Sequence, residues 1–224
     1  MKGYIKSPLA MNHSLHDTRK DYQKGALDVN SLPEEPIVLL KQWLEQALNS
    51  EGPDYNAMSL ATLGDDGVVS NRIVLLRDID QGSLRFFTNY TSRKGKCIQK
   101  HPFVSVLFFW PTLERQIRIN GRAQRSSAGV SDAYFNSRPR ESQLGAWASH
   151  QSASGEEDAL VKRLEEYTQK YEGQAVPRPN FWGGFDIEPF EFEFWQGRPS
   201  RLHQRFSYSK STQDSSWSIQ RLDP

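Results

Sequence analysis

Ala57-Met-Ser-Leu-Ala-Thr-Leu-Gly-Asp-Asp-Gly-Val-Val-Ser-Asn-Arg-Ile-Val-Leu-Leu-Arg77 sets the architecture. Two apolar runs, Ala57 to Leu63 and Val68 to Arg77, flank Gly64-Asp-Asp-Gly67, whose glycines and aspartates supply the chemistry of a tight reversal. The pattern predicts a β-hairpin. Working outward, Leu84 to Asn89 reads as a third strand, and Phe103 to Phe109 and Leu113 to Gln124 as two more, separated by Trp110-Pro-Thr112. Ser92 to His101 between them reads as a short helix with Thr91 or Ser92 as N-cap. Five strands within about seventy residues describe an antiparallel sheet. Upstream, Ile37, Leu40, Trp43 or Leu44, Ala47 and Leu48 recur at helical spacing and predict a helix, closing near Asn49, that caps the sheet. Downstream, helical patterns over Gly129 to Asn136 and Glu156 to Tyr171 precede a strand over Phe185 to Trp195 and a final pair of strands. The Ser-rich stretch from Ser207 to Ser218 reads as the loop of that pair. The expected fold is mainly β, an antiparallel barrel with peripheral helices, in one domain over residues 31–224. Residues 1–30 lack a sustained period and read as a mobile arm that orders only where it meets something.

Composition narrows the function. Of 224 residues, 37% are hydrophobic, 12% aromatic and 25% charged, which is the balance of a soluble globular domain. Lys and Arg number 28 and Asp and Glu 27, so the net charge is only +1, without the basic excess of a nucleic-acid partner. No run approaches the roughly 18 apolar residues of a membrane span, and no signal-peptide stretch opens the chain. The expected location is cytoplasmic. Cys97 is the one cysteine, and neither Cys-x-x-Cys nor His-Glu-x-x-His is present, so no metal is expected and redox chemistry needs an organic cofactor. The absence of Gly-x-Gly-x-x-Gly after a strand excludes the usual nicotinamide-nucleotide fold.

Several motifs concentrate cations against this neutral background. Thr91-Ser92-Arg93-Lys94 places two hydroxyls and two cations in the first turn of a helix, where backbone N–H groups already favour an anion. A phosphate there reconciles the charges; the plain alternative is a solvated helix start. Arg72 and Arg77 bracket an apolar strand five residues apart, so on a regular strand they face opposite sides. Either one is a surface residue, or a bulge or strand end brings both to one ligand. In Leu113-Glu-Arg-Gln-Ile117 the Gln116 amide can meet a ring edge, while Glu114 and Arg115 read as a strand-edge charge pair. Tyr134 to Ser142 gathers a phenol, Arg138, Arg140 and a hydroxyl at a helix end and the turn after it, which suits a second phosphate or, alternatively, C-capping by the two arginines. Trp147 to Ser152 reads as a loop presenting Gln151 and Ser152. Trp182-Gly-Gly184 and Trp195 supply rings and close backbone approach, although tryptophans also fill cores. Finally, Arg198, Arg201, His203 and Arg205 crowd around Trp195. Strand alternation over Ser200 to Phe206 sends Arg201, His203 and Arg205 to one face and Leu202, Gln204 and Phe206 to the other, unless this is simply a charged edge strand.

In order along the chain, Arg72-Ile-Val-Leu-Leu, Thr91-Ser-Arg-Lys94, Leu113-Glu-Arg-Gln116, Ser137-Arg-Pro-Arg140, Gln151-Ser152, Phe181-Trp-Gly-Gly184, Phe194-Trp-Gln-Gly197 and Arg201-Leu-His203 resemble the pyridoxine (pyridoxamine) 5'-phosphate oxidase family, from about Arg19 to Pro224. The resemblance implies an FMN-binding split β-barrel, antiparallel and Greek-key-like, and a homodimer with two sites at the subunit interface. It also implies FMN-dependent oxidation of pyridoxine or pyridoxamine 5'-phosphate at C4′ by molecular oxygen. The implied cofactor contacts are Arg72, Ile73, Val74, Leu75, Leu76, Arg77, Phe87, Thr88, Arg93, Lys94, Gln116, Gln151, Ser152, Trp195 and Arg205. The implied substrate contacts are Arg77, Tyr134, Arg138 and Ser142 around the phosphate, with Arg201, Leu202 and His203 at the pyridine ring, Arg201 and His203 being catalytic. Arg19, Lys20, Asp21 and Tyr22 correspond to a segment that closes over the substrate. Arg77 departs from the pattern, where lysine is expected, and so does Phe87, where tyrosine is common. A related flavoenzyme acting on another substrate, as in phenazine biosynthesis, and a flavin or pyridoxal phosphate carrier are the alternative readings.

Overall fold

The computed structural model describes residues 21–154, 157–210 and 216–224; the expectations for Arg19 and Lys20 lie outside them. Helix α1 (Pro36–Ser50) leads into β1 (Ala57–Leu63), β2 (Val69–Leu75), β3 (Asp78–Asp80), β4 (Ser83–Asn89), α2 (Arg93–Lys100), β5 (Phe103–Trp110) and β6 (Arg115–Arg125). Then come α3 (Ala128–Ser137), α4 (Arg140–Ala148), α5 (Glu157–Lys170), β7 (Trp182–Gln196), β8 (Gln204–Lys210) and β9 (Trp217–Leu222). All pairings are antiparallel, in the order β2-β1-β5-β6-β7-β4-β3, with β8 added to β7 and β9 to β8. The sheet curls into a split barrel.

Strand β7 organises it. One edge pairs with β6 along most of its length, while the other is divided, Trp182 to Ile187 pairing with β4 and Glu191 to Gln196 with β8. At the division the β6–β7 register shifts between Asn120 and Gly121. A Cβ on Gly121 would sit 2.7 Å from the Glu188 carbonyl oxygen and 2.6 Å from Ile187 Cγ2, so only glycine lets the two backbones meet there.

Inside the curl, α1 lays Leu39, Leu40, Trp43, Leu44 and Ala47 against the inward rings of Phe108, Phe194 and Phe206. The predicted helix is thus borne out, although Leu48 points to solvent. Trp43 stands edge-on to Phe194 at 5.3 Å, and the Arg115 guanidinium lies 4.4 Å over the Trp43 ring. A second cluster, Phe135, Leu144, Ala146, Tyr171, Val176 and Trp182, is built by α3, α4, the segment after α5 and the start of β7. Full burial of one such side chain contributes about 1.5–3 kcal/mol. Leu27, in the stretch read as an arm, is buried in the main core.

Four local readings need correction. Arg140 to Ala148 is helical, so Trp147 belongs to α4 and not to a loop; its first-turn Glu141 favours that helix start. Arg140 does not cap its own helix but donates to the Tyr171 and Gln174 carbonyls at the end of α5. Much of the Ser-rich stretch is strand, since β8 runs to Lys210 and β9 starts at Trp217, with Ser209 and Ser218 hydrogen-bonded across the pair. And Pro199–Arg201 is a 3-10 turn, so alternation begins only at Gln204. Gly121→Ala is expected to cost about 1–3 kcal/mol of stability through overpacking, read as a lower midpoint of denaturant unfolding.

Candidate functional site

A cavity of about 450 Å³ opens between the end of β2, β4 and the α3–α4 corner. Ile73, Val74, Leu75 and Arg77 line one side, Phe87, Thr88 and Lys94 the floor, and Tyr134, Arg138, Ser142, Gln151 and Trp182 the rest. A second hollow, lined by Thr91, Arg93, Lys96, His150 and Ser152, shares Asn89, Ser149 and Gln151 with it. The two anion motifs separated by forty residues therefore meet in one place. Of the expected β2 contacts, Leu76 turns instead into the core. Arg72 and Arg77 do not share a strand: Arg77 lies past the end of β2, where its N–H bonds the Arg85 carbonyl. Buried Arg85 fixes that corner through Asp186 (2.6 Å), Asp78 (2.7 Å) and Asp80 (3.3 Å).

The electrostatics of the cavity are one-sided. Lys94 is buried, and its Nζ donates to Gln151 Oε1 (3.0 Å) and Thr88 Oγ1 (3.1 Å); among the described residues no carboxylate pairs with it. Burial, together with Arg72, lowers its pKa. Arg72 donates to the Leu60 carbonyl and Thr62 Oγ1, and burial lowers its pKa as well. Ser92 caps α2 by accepting from Gly95 N–H, and Ser152 Oγ accepts from Arg93 N–H, so the helix start is a built hydrogen-bonding end. Across the cavity, Arg138 Nη1 is buried without a hydrogen-bond partner. Its pKa is lowered by burial and by Arg77, against an opposing effect of Tyr134. Unpaired buried cations cost several kcal/mol unless an anion compensates them. The close approach of Gly183 and Gly184 is not toward the cavity: a Cβ on either would strike Tyr90 Oη or Ser126 Oγ.

The remaining expected residues gather elsewhere. Gln116, Trp195 and Arg205 are cross-strand partners in one row over β6, β7 and β8, continued by Phe109 of β5. Arg205 is not a free cation there, since Glu193 accepts from its Nε at 2.8 Å and raises its pKa. His203 packs on Trp195 (4.7 Å) and accepts the Arg198 N–H at Nδ1, which assigns the ring proton of the neutral form to Nε2. Burial, then Arg201, lowers its pKa. Ser200 and Arg201 both hold left-handed backbone, φ 56° and 62°, which non-glycine residues seldom adopt. Tyr22 stands edge-on to both Trp195 and His203, each at 5.5 Å, and Asp21 accepts from Ser200 N–H. Leu202 is exposed.

Residues 44–171 match the family described as pyridoxamine 5'-phosphate oxidase, and residues 182–224 match the pyridoxine 5'-phosphate oxidase C-terminal dimerisation region. The chain belongs to the pyridoxamine 5'-phosphate oxidase family. A protein from Chromohalobacter salexigens named pyridoxine/pyridoxamine 5'-phosphate oxidase is 47% identical over 96% of this chain and 100% of its own. One of the same name from Nostoc sp. is 46% identical over the same shares. Among solved structures, PhzG from Burkholderia lata, in complex with tetrahydrophenazine-1-carboxylic acid, superposes with a TM-score of 0.83 at 32% identity, covering 90% of this chain and 100% of that one. The fold shared by these proteins is the split barrel described above.

One residue beside the Trp195–His203 platform escaped the reading of the sequence. Glu114, read as half of a charge pair with Arg115, is 2% exposed with φ 56°, and its Oε2 accepts the N–H groups of Gln23 and Lys24, both at 2.8 Å. Arg115 turns away to Gln196 and Gln46. Gln196 Nε2 adds a bond to the Lys24 carbonyl, so the strap from Asp21 to Gly25 is stitched over the Trp195–His203 platform. Pattern alone gave no signal, because an acceptor for main-chain N–H groups ninety residues away leaves no local trace. Glu114→Ala is expected to speed tryptic cleavage after Lys24 several-fold, whereas Glu114→Gln, which keeps the oxygen, is expected to stay near wild type.

Proposed function

We propose that the protein oxidises pyridoxine or pyridoxamine 5'-phosphate at C4′, using FMN and molecular oxygen, to give pyridoxal 5'-phosphate and hydrogen peroxide, the amine also consuming water as its imine is hydrolysed to release ammonia. The observation that carries this reading is the pair of cationic stations in two adjoining hollows, Lys94 with Arg93 at one end, Arg72 being near enough to lower the Lys94 pKa, and Arg138 with Arg77 at the other, neither of Lys94 and Arg138 having a carboxylate partner among the described residues. Two phosphate-bearing molecules need two such stations. The residues present fit FMN: the start of α2, Ser152 and Lys94 would hold its phosphate, and Ile73, Val74 and Leu75 would face its ring system. The chemistry FMN supplies when bound is two-electron, C4′ losing a hydride while oxygen leaves as hydrogen peroxide.

The chain's own groups bind and orient. Arg138, Ser142, Tyr134 and Arg77 hold the substrate phosphate, and the guanidinium of Arg77 offers a planar fork to it. His203, whose pKa burial and then Arg201 lower, presents Nε2–H to the pyridine substituents in its neutral form, and Arg201 covers the ring. The stretch around Asp21 and Tyr22 acts as a lid over it, Leu27 already belonging to the barrel core, and Tyr22 marks where that lid meets the platform.

These two groups come from different subunits in our reading. Trp182 at the cavity and Trp195 at the platform belong to one strand, thirteen residues apart, or up to about 40 Å along the strand at roughly 3.3 Å per residue. A homodimer, with the outward face of Ile73, Leu107 and Phe109 covered by the second copy, brings the partner's Trp195, Arg201 and His203 to the cavity. These three apolar residues are 36–65% exposed in the single chain, which supports a covered face. The working place is the cytoplasm; among the described residues no helix is long and apolar enough to cross a membrane.

A second reading is favoured by the likeness to PhzG: a flavoenzyme whose substrate lacks phosphate. Oxygen uptake by the FMN-loaded protein discriminates. Turnover of pyridoxine 5'-phosphate with at most slight turnover of pyridoxine is expected, and equal rates would sink the phosphate anchor. Mixing Arg138→Ala and Arg201→Ala subunits after reversible dissociation is expected to restore about a quarter of wild-type activity, because half of random dimers are hybrids with one intact site. No restoration would place both residues in the same subunit's site.

A further inference from the structure

Arg138 is held without a counter-ion, and the holding group is aromatic. Its guanidinium carbon lies 4.6 Å over the Trp182 ring and 5.7 Å from that of Phe135. Trp182 is itself fixed from several directions. It opens β7 opposite Asn89, its carbonyl accepts from Arg178, and Phe135 meets it edge-on at 5.3 Å. Phe87 and Tyr134 stack face to face at 3.8 Å, and both rings run nearly parallel to the indole, Phe87 at 5.7 Å and Tyr134 at 6.2 Å. Arg138 follows directly on α3 with extended backbone, so its own main chain leaves the guanidinium little support besides the ring.

An aromatic face and a carboxylate differ in what they leave behind. A carboxylate fixes a guanidinium by occupying its N–H groups and cancelling its charge, as Glu193 does to Arg205. An indole fixes it by its face and leaves the N–H edge and the charge available. Nη1 of Arg138, buried and unpartnered, is that free edge, and it belongs to a residue lining the cavity.

We propose that Trp182 is the positioning residue that sets selectivity for a phosphorylated substrate, by holding the Arg138 guanidinium over the cavity in an orientation that only a bound phosphate satisfies. The inference rests on the assignment of Arg138 to the substrate phosphate. It also accounts for Phe87: with phenylalanine the whole stack Phe87–Tyr134–Trp182 is supported by ring faces, without needing a hydroxyl at that position.

Steady-state kinetics of the FMN-loaded protein with pyridoxine 5'-phosphate and with pyridoxine test it, using Trp182→Leu, Trp182→Phe and Arg138→Ala. Trp182→Leu is expected to raise KM for the phosphorylated substrate about 3- to 30-fold, the range from an exposed to a desolvated cation–π contact, and to lower the preference in kcat/KM for pyridoxine 5'-phosphate over pyridoxine by a similar factor. Trp182→Phe, which restores a ring face, is expected to recover most of that loss. A structural defect would shift both substrates together and lower the FMN content, and that result overturns the proposal. If Arg138→Ala abolishes the discrimination while Trp182→Leu preserves it, Trp182 has no such role. If Arg138→Ala preserves it, the phosphate assignment of Arg138 fails, and the inference with it.

Discussion

Everything in this molecule hangs from the divided edge of β7. A fifteen-residue strand gives most of its length on one side to β6 and shares its other side between β4 and β8, which is possible because the register shift at Gly121 and Pro189 lets the chain bend where one partner ends and the next begins. The cavity forms at the β4 end and the aromatic platform at the β8 end. The strand is both the spine of the core and the ruler that keeps two sets of functional groups apart.

Away from the cavity, Arg85 has three carboxylates and Arg205 has Glu193, while Arg115 and Arg140 rest on amide and carbonyl oxygens. The two cavity cations Lys94 and Arg138 have no carboxylate among the described residues: Lys94 has Gln151 and Thr88, and Arg138 has the face of Trp182.

The sequence carried the sheet well and the loops poorly, for physical reasons. Hairpin β1–β2, helix α1 and the Ser92-capped α2 announce themselves through period and turn chemistry, all of them local. Helix α4 did not, because nine residues interrupted by Gly145 give a weak period, and β3, three residues long, is defined by Arg85 rather than by propensity. In the site, the motifs around Arg72, Lys94, Tyr134 and Arg138 were readable as cations and rings, and the family likeness assigned them partners. The geometry of Arg201 was not, since a 3-10 turn with two left-handed residues breaks the alternation that placed it. Nor was Glu114, whose ligands are main-chain groups.

The cluster of unpaired positive charge has a consequence for the folded state itself. Arg72 and Lys94 repel one another, and with Arg138 they sit partly out of water with few compensating groups, so the native chain holds electrostatic work that any bound dianion releases. Ligand binding and folding are then coupled by mass action, since the native state alone assembles the site. Cofactor supply becomes a determinant of how long the protein survives, and not only of how fast it works.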